Sequence, residues 1–217
     1  MSEKDIRPMA NQAYDCLYQK IMLCQYLPGQ ELKEKFLLED TGFGRTPLRE
    51  ALLLLQRERM IEIFPRKGMR VAPITEKSAN DLYQARKLIE PTVIEEYKSL
   101  YSKGKLLQYQ QKFRQTIDGP DLERFLLDVD FHSYLIAITD NSALMEMYQK
   151  LMVTQVRLAM YATLKNCVNS REDDLTQHCA IIDALLRENG SDIRDAVILH
   201  INYSMIRSLN AIHLDEP

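Results

Sequence analysis

The stretch RTPLREALLLLQRERMIEIFPRKGMRV, Arg45–Val71, changes its period part-way along. Leu48, Ala51, Leu52 and Leu55 recur at helical spacing and predict a buried stripe, with Arg45, Arg49 and Arg57 lying off it. Thr46-Pro47 reads as the helix start, because Thr caps and Pro is tolerated at the first helical position. Ile61–Phe64 then alternates like a strand, Pro65-Arg66-Lys67-Gly68 turns the chain, and Met69-Arg70-Val71 returns as the paired strand. An arginine-rich helix start followed by a hairpin with a basic tip suits a nucleic-acid interface. The helix N-terminus offers base-edge and phosphate contacts in a major groove, and the hairpin reaches flanking backbone or minor groove. The competing reading is an ordinary amphipathic helix with a solvated basic face.

Upstream, residues 1–9 read as a loose arm and Asn11–Cys24 as a helix with Ala13, Leu17, Ile21 and Met22 near one face. Leu27-Pro28-Gly29-Gln30 stops it. Leu32–Thr41 reads as a short second helix with Leu32, Phe36 and Leu37 inward, and Gly42-Phe43-Gly44 turns into the third. Three helices and a hairpin in about 70 residues describe a winged helix-turn-helix.

The run from Tyr26 to Thr75 resembles the DNA-binding domain of the GntR family of bacterial transcription regulators. The resemblance rests on Pro28-Gly29, on Gly42 followed by Arg45-Thr46-Pro47-Leu48-Arg49-Glu50-Ala51-Leu52, and on Arg66-Lys67-Gly68. It implies that Arg45, Thr46 and Arg49 contact operator DNA and that Gly68 lets the wing approach the backbone. The basic wing tip adds Arg66 and Lys67. Two residues depart from the pattern: Lys33 stands where a small capping residue is usual, and Gly44 replaces the usual Ser.

The 217 residues suggest one or two domains, and 46% hydrophobic content permits a substantial core. Residues 1–75 carry 12 Lys+Arg against 10 Asp+Glu, a net +2, while the remainder carries 16 against 21, a net −5. A chain this acidic overall is not built to coat nucleic acid non-specifically. Cys16, Cys24, Cys167 and Cys179 form no CxxC pair and read as reduced, buried thiols. The polar start MSEKDIRP has no signal-like apolar run, and no stretch approaches the roughly 20 apolar residues of a membrane span. The expectation is a soluble cytoplasmic protein.

Ala72–Thr75 marks a boundary between residues 1–75 and 76–217. Beyond it, helices are expected over Asp81–Tyr101 (kinked at Pro91), Leu106–Ile117, Asp121–Ile138, Ala143–Leu164, Arg171–Glu188 and Ile193–Ile212. The fourth is apolar nearly all round and reads as the central buried helix. Short connections make the six an antiparallel bundle. The expected fold class is therefore mainly α, a winged helix-turn-helix followed by a six-helix bundle.

The chain has four histidines, His132, His178, His200 and His213. Asp128 and His132 are four apart and share a helix face. His178 and His200 fall on the last two helices, whose antiparallel pairing can bring both to one interior level. One carboxylate and three imidazoles suit Zn²⁺, Ni²⁺ or another divalent transition metal. The alternative is that each is a satisfied core or surface histidine. Asp130 points away from His132. The same pattern resembles the FadR-type ligand domain known as FCD, through Arg86-Lys87-Leu88-Ile89-Glu90, Asp128 to His132, Thr139-Asp140-Asn141, His178 and His200. That resemblance implies a metal held by Asp128, His132, His178 and His200, with a small carboxylate effector completing its coordination.

Arg157 sits in the apolar run Val153–Tyr161, and Arg86 on the first bundle helix. Each reads either as an internal salt bridge, for example to Glu90 or Asp128, or as a fork gripping an organic acid. Asn202 and Tyr203 are further pocket candidates. The leading reading is a homodimeric, metabolite-responsive transcription regulator that binds operator DNA. The runner-up is a metal-dependent enzyme that activates water. No Glu at His-adjacent helical spacing offers an evident base, and Glu-x-x-His pairs are absent.

Overall fold

In the computed structural model, described for residues 7–167 and 171–214, the chain divides between Ile74 and Thr75 into two compact units. The expected arm falls largely on residues 1–6, outside the described residues. Helix α1 runs over Met9–Met22, strand β1 over Glu31–Leu32, α2 over Glu34–Thr41, α3 over Arg45–Arg57, β2 over Ile61–Phe64 and β3 over Gly68–Val71. The strands form an antiparallel sheet of order β1-β3-β2, with Phe64 opposite Gly68 and Leu32 opposite Met69. Ala13, Leu17, Leu37, Leu48, Leu52 and Leu55 fill the core beneath.

Three local expectations are corrected. Leu32 belongs to β1 and not to the second helix; it is buried on the sheet, whereas Phe36 is 42% exposed and meets Tyr26 edge-on. The cap of α3 is Gly44, not Thr46. The first intrahelical bond is donated by the Leu48 N–H to the Gly44 carbonyl, so Pro47 sits at the third helical position, where a missing N–H costs nothing. At the other end of α2, Gly42 closes the helix with φ +72°, a left-handed conformation that suits glycine.

The second unit contains, among the described residues, six α-helices: α4 Glu76–Glu96, α5 Lys103–Thr116, α6 Asp121–Ala137, α7 Ser142–Leu164, α8 Arg171–Arg187 and α9 Gly190–His213, with a 3₁₀ turn at Lys98–Leu100. The first starts five residues earlier than the periodicity predicts. Thr75 and Ser78 form a reciprocal capping box there, and the chain runs through the buried Pro91 as one helix. Helix α4 packs along α9, α7 against α6 and α9, and α8 against α5 and α9. Helix α7 is buried nearly all round only from Gln155 to Ala162; its first half buries Tyr148 and Met152 but exposes Glu146, Met147, Gln149 and Lys150. The four cysteines are free, but only Cys24 is buried. Cys16 and Cys179 directly precede or follow an inward residue, Leu17 or His178, and so rotate about 100° off the core face.

Candidate functional site

The first unit presents its chemistry outward. Arg45, Thr46 and Arg49 lie exposed on the first turns of α3. Arg49 is 66% exposed and held by Glu34, the first residue of α2, through its Nε at 3.2 Å and Nη2 at 3.1 Å. At the wing tip Arg66 (φ +63°), Lys67 and Gly68 (φ +110°) are exposed. Behind the tip, Arg70 pairs with Glu62 at 2.6 Å and lies over the Phe64 ring. Glu34 and Arg70 were not among the residues singled out by motif.

The second unit presents its chemistry inward. Asp128 and His132 on α6, His178 on α8 and His200 on α9 are all buried, and one ligand atom from each lies within 4.8 Å of the others. The imidazole Nε2 atoms of His178, His132 and His200 stand 2.7, 3.4 and 3.6 Å from Asp128 Oδ1. Those of His132 and His200 are 3.1 Å apart. An ion bound at 2.0–2.1 Å separates neighbouring ligand atoms by about 3–3.4 Å, so the donor set fits a divalent transition metal without large movement.

Outer contacts hold the rings from behind. Glu90 Oε2 lies 2.9 Å from His132 Nδ1, and the Asp174 carbonyl 2.7 Å from His178 Nδ1. As they stand, the Nε2 atoms of His132 and His178 face Asp128 as donors; an ion that displaced those protons would find His178 held through Nδ1 and His132 with Glu90 beside its Nδ1. Glu90 is itself held by Arg86 and by the Tyr148 hydroxyl at 2.8 Å. Burial alone would raise the Glu90 carboxyl; the charges of Arg86 and His132 outweigh it and keep Glu90 ionised. For Asp128 burial again opposes ionisation, and hydrogen bonds from His132 and His178 hold it well below the usual carboxylate range. Burial, with His178 and His132 beside it, pushes His200 well below the usual imidazole value, so His200 is neutral.

A recess opens from this cluster. Asp128, His178 and His200 line its inner end, and Phe113, Phe125 and Leu175 its walls. Arg124, Arg171, Asp174 and Arg207 line both this recess and an outer one of about 240 Å³, which adds Asp121, Thr163 and Asn166. The structure does not put the sequence-selected polar residues on this cavity. Arg86 is fully buried behind His132 as the partner of Glu90, Arg157 is buried on α7, Asn202 is half-buried and Tyr203 exposed, and none of them lines either recess. The arginines that do were missed, although a spacing signal existed. Arg124 precedes Asp128 by four, Asp174 and Arg171 precede His178 by four and seven, and Arg207 follows His200 by seven. Each therefore shares its ligand's helix face, and the opposite direction on α9 matches an antiparallel partner. His213 pairs with Glu76 away from the cluster.

Residues 9–71 match the family described as "Bacterial regulatory proteins, gntR family", and residues 81–203 match the FCD domain. The chain belongs to the GntR family, with an FCD domain as its second unit. It is 28% identical over 199 residues to the HTH-type transcriptional repressor RspR of Escherichia coli K12, covering 90% of this chain and 86% of that protein. To the Exu regulon transcriptional regulator of the same strain it is 27% identical over 205 residues, covering 85% and 78%. The solved structure of E. coli McbR/YncC superposes with TM-score 0.73 at 18% identity, covering 94% of this chain and 99% of that one, a likeness of fold. This GntR-family chain is a transcription regulator, and no helix among its described residues is long and apolar enough to cross a membrane.

Proposed function

We propose that this GntR-family protein is a cytoplasmic homodimer that represses transcription at a two-half-site operator and responds to a small organic acid. The observation that carries the reading is the buried cluster of Asp128, His132, His178 and His200, with its Nε2 atoms convergent and a cavity at its side. These four residues hold a divalent metal, Zn²⁺ or Ni²⁺ by donor type. When bound, the metal supplies a positive charge with coordination positions left for an anion. With the ion bound, the Asp174 carbonyl would hold His178 and the neighbouring Glu90 would favour His132 in the ligating tautomer, and Phe113, Phe125 and Leu175 exclude bulk water from the acid's carbon chain. Arg45, Thr46 and Arg49 read the operator, while Arg66, Lys67 and Gly68 follow its backbone. The repressor role is supported by the name of the relative RspR, and a dimer by the two heads a two-half-site operator requires.

An acid shifts operator affinity only if it binds the DNA-competent and DNA-incompetent states unequally. A coupling of about 1–3 kcal/mol changes affinity roughly 5–150-fold. The test is operator affinity across a panel of carboxylates, with metal-loaded and chelator-treated protein. The expected result is an effector whose action disappears with the metal. An effector that works equally in folded, metal-free protein overturns the mechanism.

A further inference from the structure

The carboxylate reading above leaves a set of charges unused. Arg207, Asp174, Arg124, Asp121 and Arg171 form a continuous chain of ion pairs along the recess. Asp174 Oδ2 stands 3.5 Å from Arg207 Nη1 and 3.0 Å from Arg124 Nη2. Asp121 Oδ1 stands 2.9 Å from Arg124 Nη1 and 3.3 Å from Arg171 Nη2. Three guanidiniums against two carboxylates leave one positive charge. A divalent ion against Asp128, with neutral imidazoles, leaves a second at the inner end. The Arg86–Glu90 pair is neutral and lies behind His132.

Arg124 meets Asp121 and Asp174, and Arg171 meets Asp121 and the carbonyls of Ile117 and Gly119, but Arg207 is short of acceptors. Arg207 is buried, and its Nε has no hydrogen-bond partner among the described residues. The guanidiniums of Arg207 and Arg124 both lie near the one Phe125 ring, at 5.4 and 5.9 Å from its centroid, and share the single Asp174 Oδ2. A buried guanidinium with an unused donor is costly unless an anion meets it. The two ends of the recess are linked through one residue: Asp174 gives its carbonyl to His178 Nδ1 and its carboxylate to Arg124 and Arg207.

We propose that the effector is a dianion. One acid group occupies the metal end, and a second, separated by a short carbon chain, meets Arg124, Arg171 and Arg207 where the inner and outer recesses join. A carboxylate and a phosphate present the same forked acceptor geometry to arginine, so the second group is assigned as an acid of either kind. The inference rests on the reading of the bundle as a metal-dependent carboxylate sensor.

The experiment is calorimetric titration of the metal-loaded full-length chain with butanedioate, butanoate and 3-phosphoglycerate, repeated on Arg171→Gln. Arg171 is 41% exposed, and because it also donates to the Ile117 and Gly119 carbonyls, urea denaturation of the variant is run alongside to show that the bundle is still folded. The expected result is that butanedioate or 3-phosphoglycerate binds at least about tenfold tighter than butanoate, the size of one charge-assisted contact. Whichever binds tighter identifies the second acid. In Arg171→Gln the preference shrinks while butanoate affinity holds. Equal affinities for mono- and dianion overturn the proposal and leave the sensor reading intact, as does a preference that survives Arg171→Gln undiminished. If none of the acids binds and none alters operator affinity, the sensor reading itself fails and takes this one with it.

Discussion

The two units solve opposite electrostatic problems. In the DNA-binding head the candidate contact charges stand in water: Arg45, Arg49, Arg66 and Lys67 are exposed, and Arg49 pairs with Glu34. In the bundle the working charges are out of water and multiply tied: Glu90 meets Arg86, Tyr148 and His132, and Asp128 meets three imidazoles. An exposed charge is solvated at little cost and is free to exchange water for a phosphate or a base edge. A buried one must be largely satisfied by its neighbours before any ligand arrives, and a donor left over, such as Arg207 Nε, is rare. Removing a residue from the head should therefore affect binding and spare the fold, whereas removing one from the bundle should affect the fold, the ligand or both.

The largest expected effect breaks the bundle's buried pair. Arg86→Ala leaves Glu90 without its guanidinium at a site where both side chains are fully buried, and should cost about 3–5 kcal/mol of unfolding free energy. Arg49→Ala removes the partner of Glu34 at the surface and should change stability by less than about 0.5 kcal/mol. Urea denaturation of the two variants decides the matter. Similar losses would mean that the head's pair is structural or the bundle's is not.

The next effect concerns the metal itself. Protein purified without a His-tag should carry about one divalent ion per chain, a four-donor cluster being one site's worth of ligands. The double variant His178→Ala/His200→Ala should lose it, while His213→Ala, which touches only the exposed Glu76 pair, should keep it. Elemental analysis gives the answer directly. Metal retained in the double variant removes the site. Where metal is present at 1,000 times its dissociation constant, chelation should lower stability by about 4 kcal/mol.

This contrast also explains what could be read from sequence. The head's functional residues are consecutive or nearly so, because a helix start and a hairpin tip are local structures. Arg45, Thr46, Arg49 and Arg66–Gly68 are visible as a motif before any fold is known. The bundle's candidate ligands span residues 128–200 on three helices. Their donor types and the i, i+4 spacing of Asp128 and His132 pointed to one face, and the antiparallel order of α8 and α9 did the rest. Arg86 and Arg157 were selected although they do not line the recess, because residue type was weighed without helical phase. Arg157 attracted attention through its apolar neighbours on α7, while Arg124, Arg171 and Arg207, each one or two turns from a ligand, were passed over. Boundary errors had local causes: the Thr75–Ser78 box starts α4 early, and Glu31–Leu32 was drawn into the sheet by β3.

Within the head, base reading and backbone contact should separate. Arg45→Ala and Arg49→Ala should each weaken a cognate operator by about 1–3 kcal/mol with discrimination reduced. Arg66→Ala and Lys67→Ala should weaken all sequences alike and reduce the slope of log affinity against log salt by about 1 each. The check is fluorescence anisotropy on cognate and scrambled duplexes over a salt series. A wing variant that changes sequence preference, or an α3 variant that changes only the salt slope, would reverse the assignment.

The smallest effect tests the one place where the head departs from its family's pattern at the recognition helix. Gly44 caps α3 with φ −72°, an ordinary conformation for any residue. A Cβ built there would meet only Pro47 Cδ and Cγ, at 3.8 and 3.9 Å, so Gly44→Ser fits without strain. A capping hydroxyl usually accepts the N–H of the second or third helical residue. Here the third is Pro47, which has none, so only the Thr46 N–H remains. The gain in stability should therefore be a few tenths of a kcal/mol at most. It should appear in the denaturation of the head and leave metal content unchanged. Because the new hydroxyl lies beside Arg45, operator affinity is the second readout. A rise in affinity alongside unchanged stability would assign that hydroxyl to a phosphate, whereas a stability gain near 1 kcal/mol would show that the first turn of α3 rearranges to free a second donor.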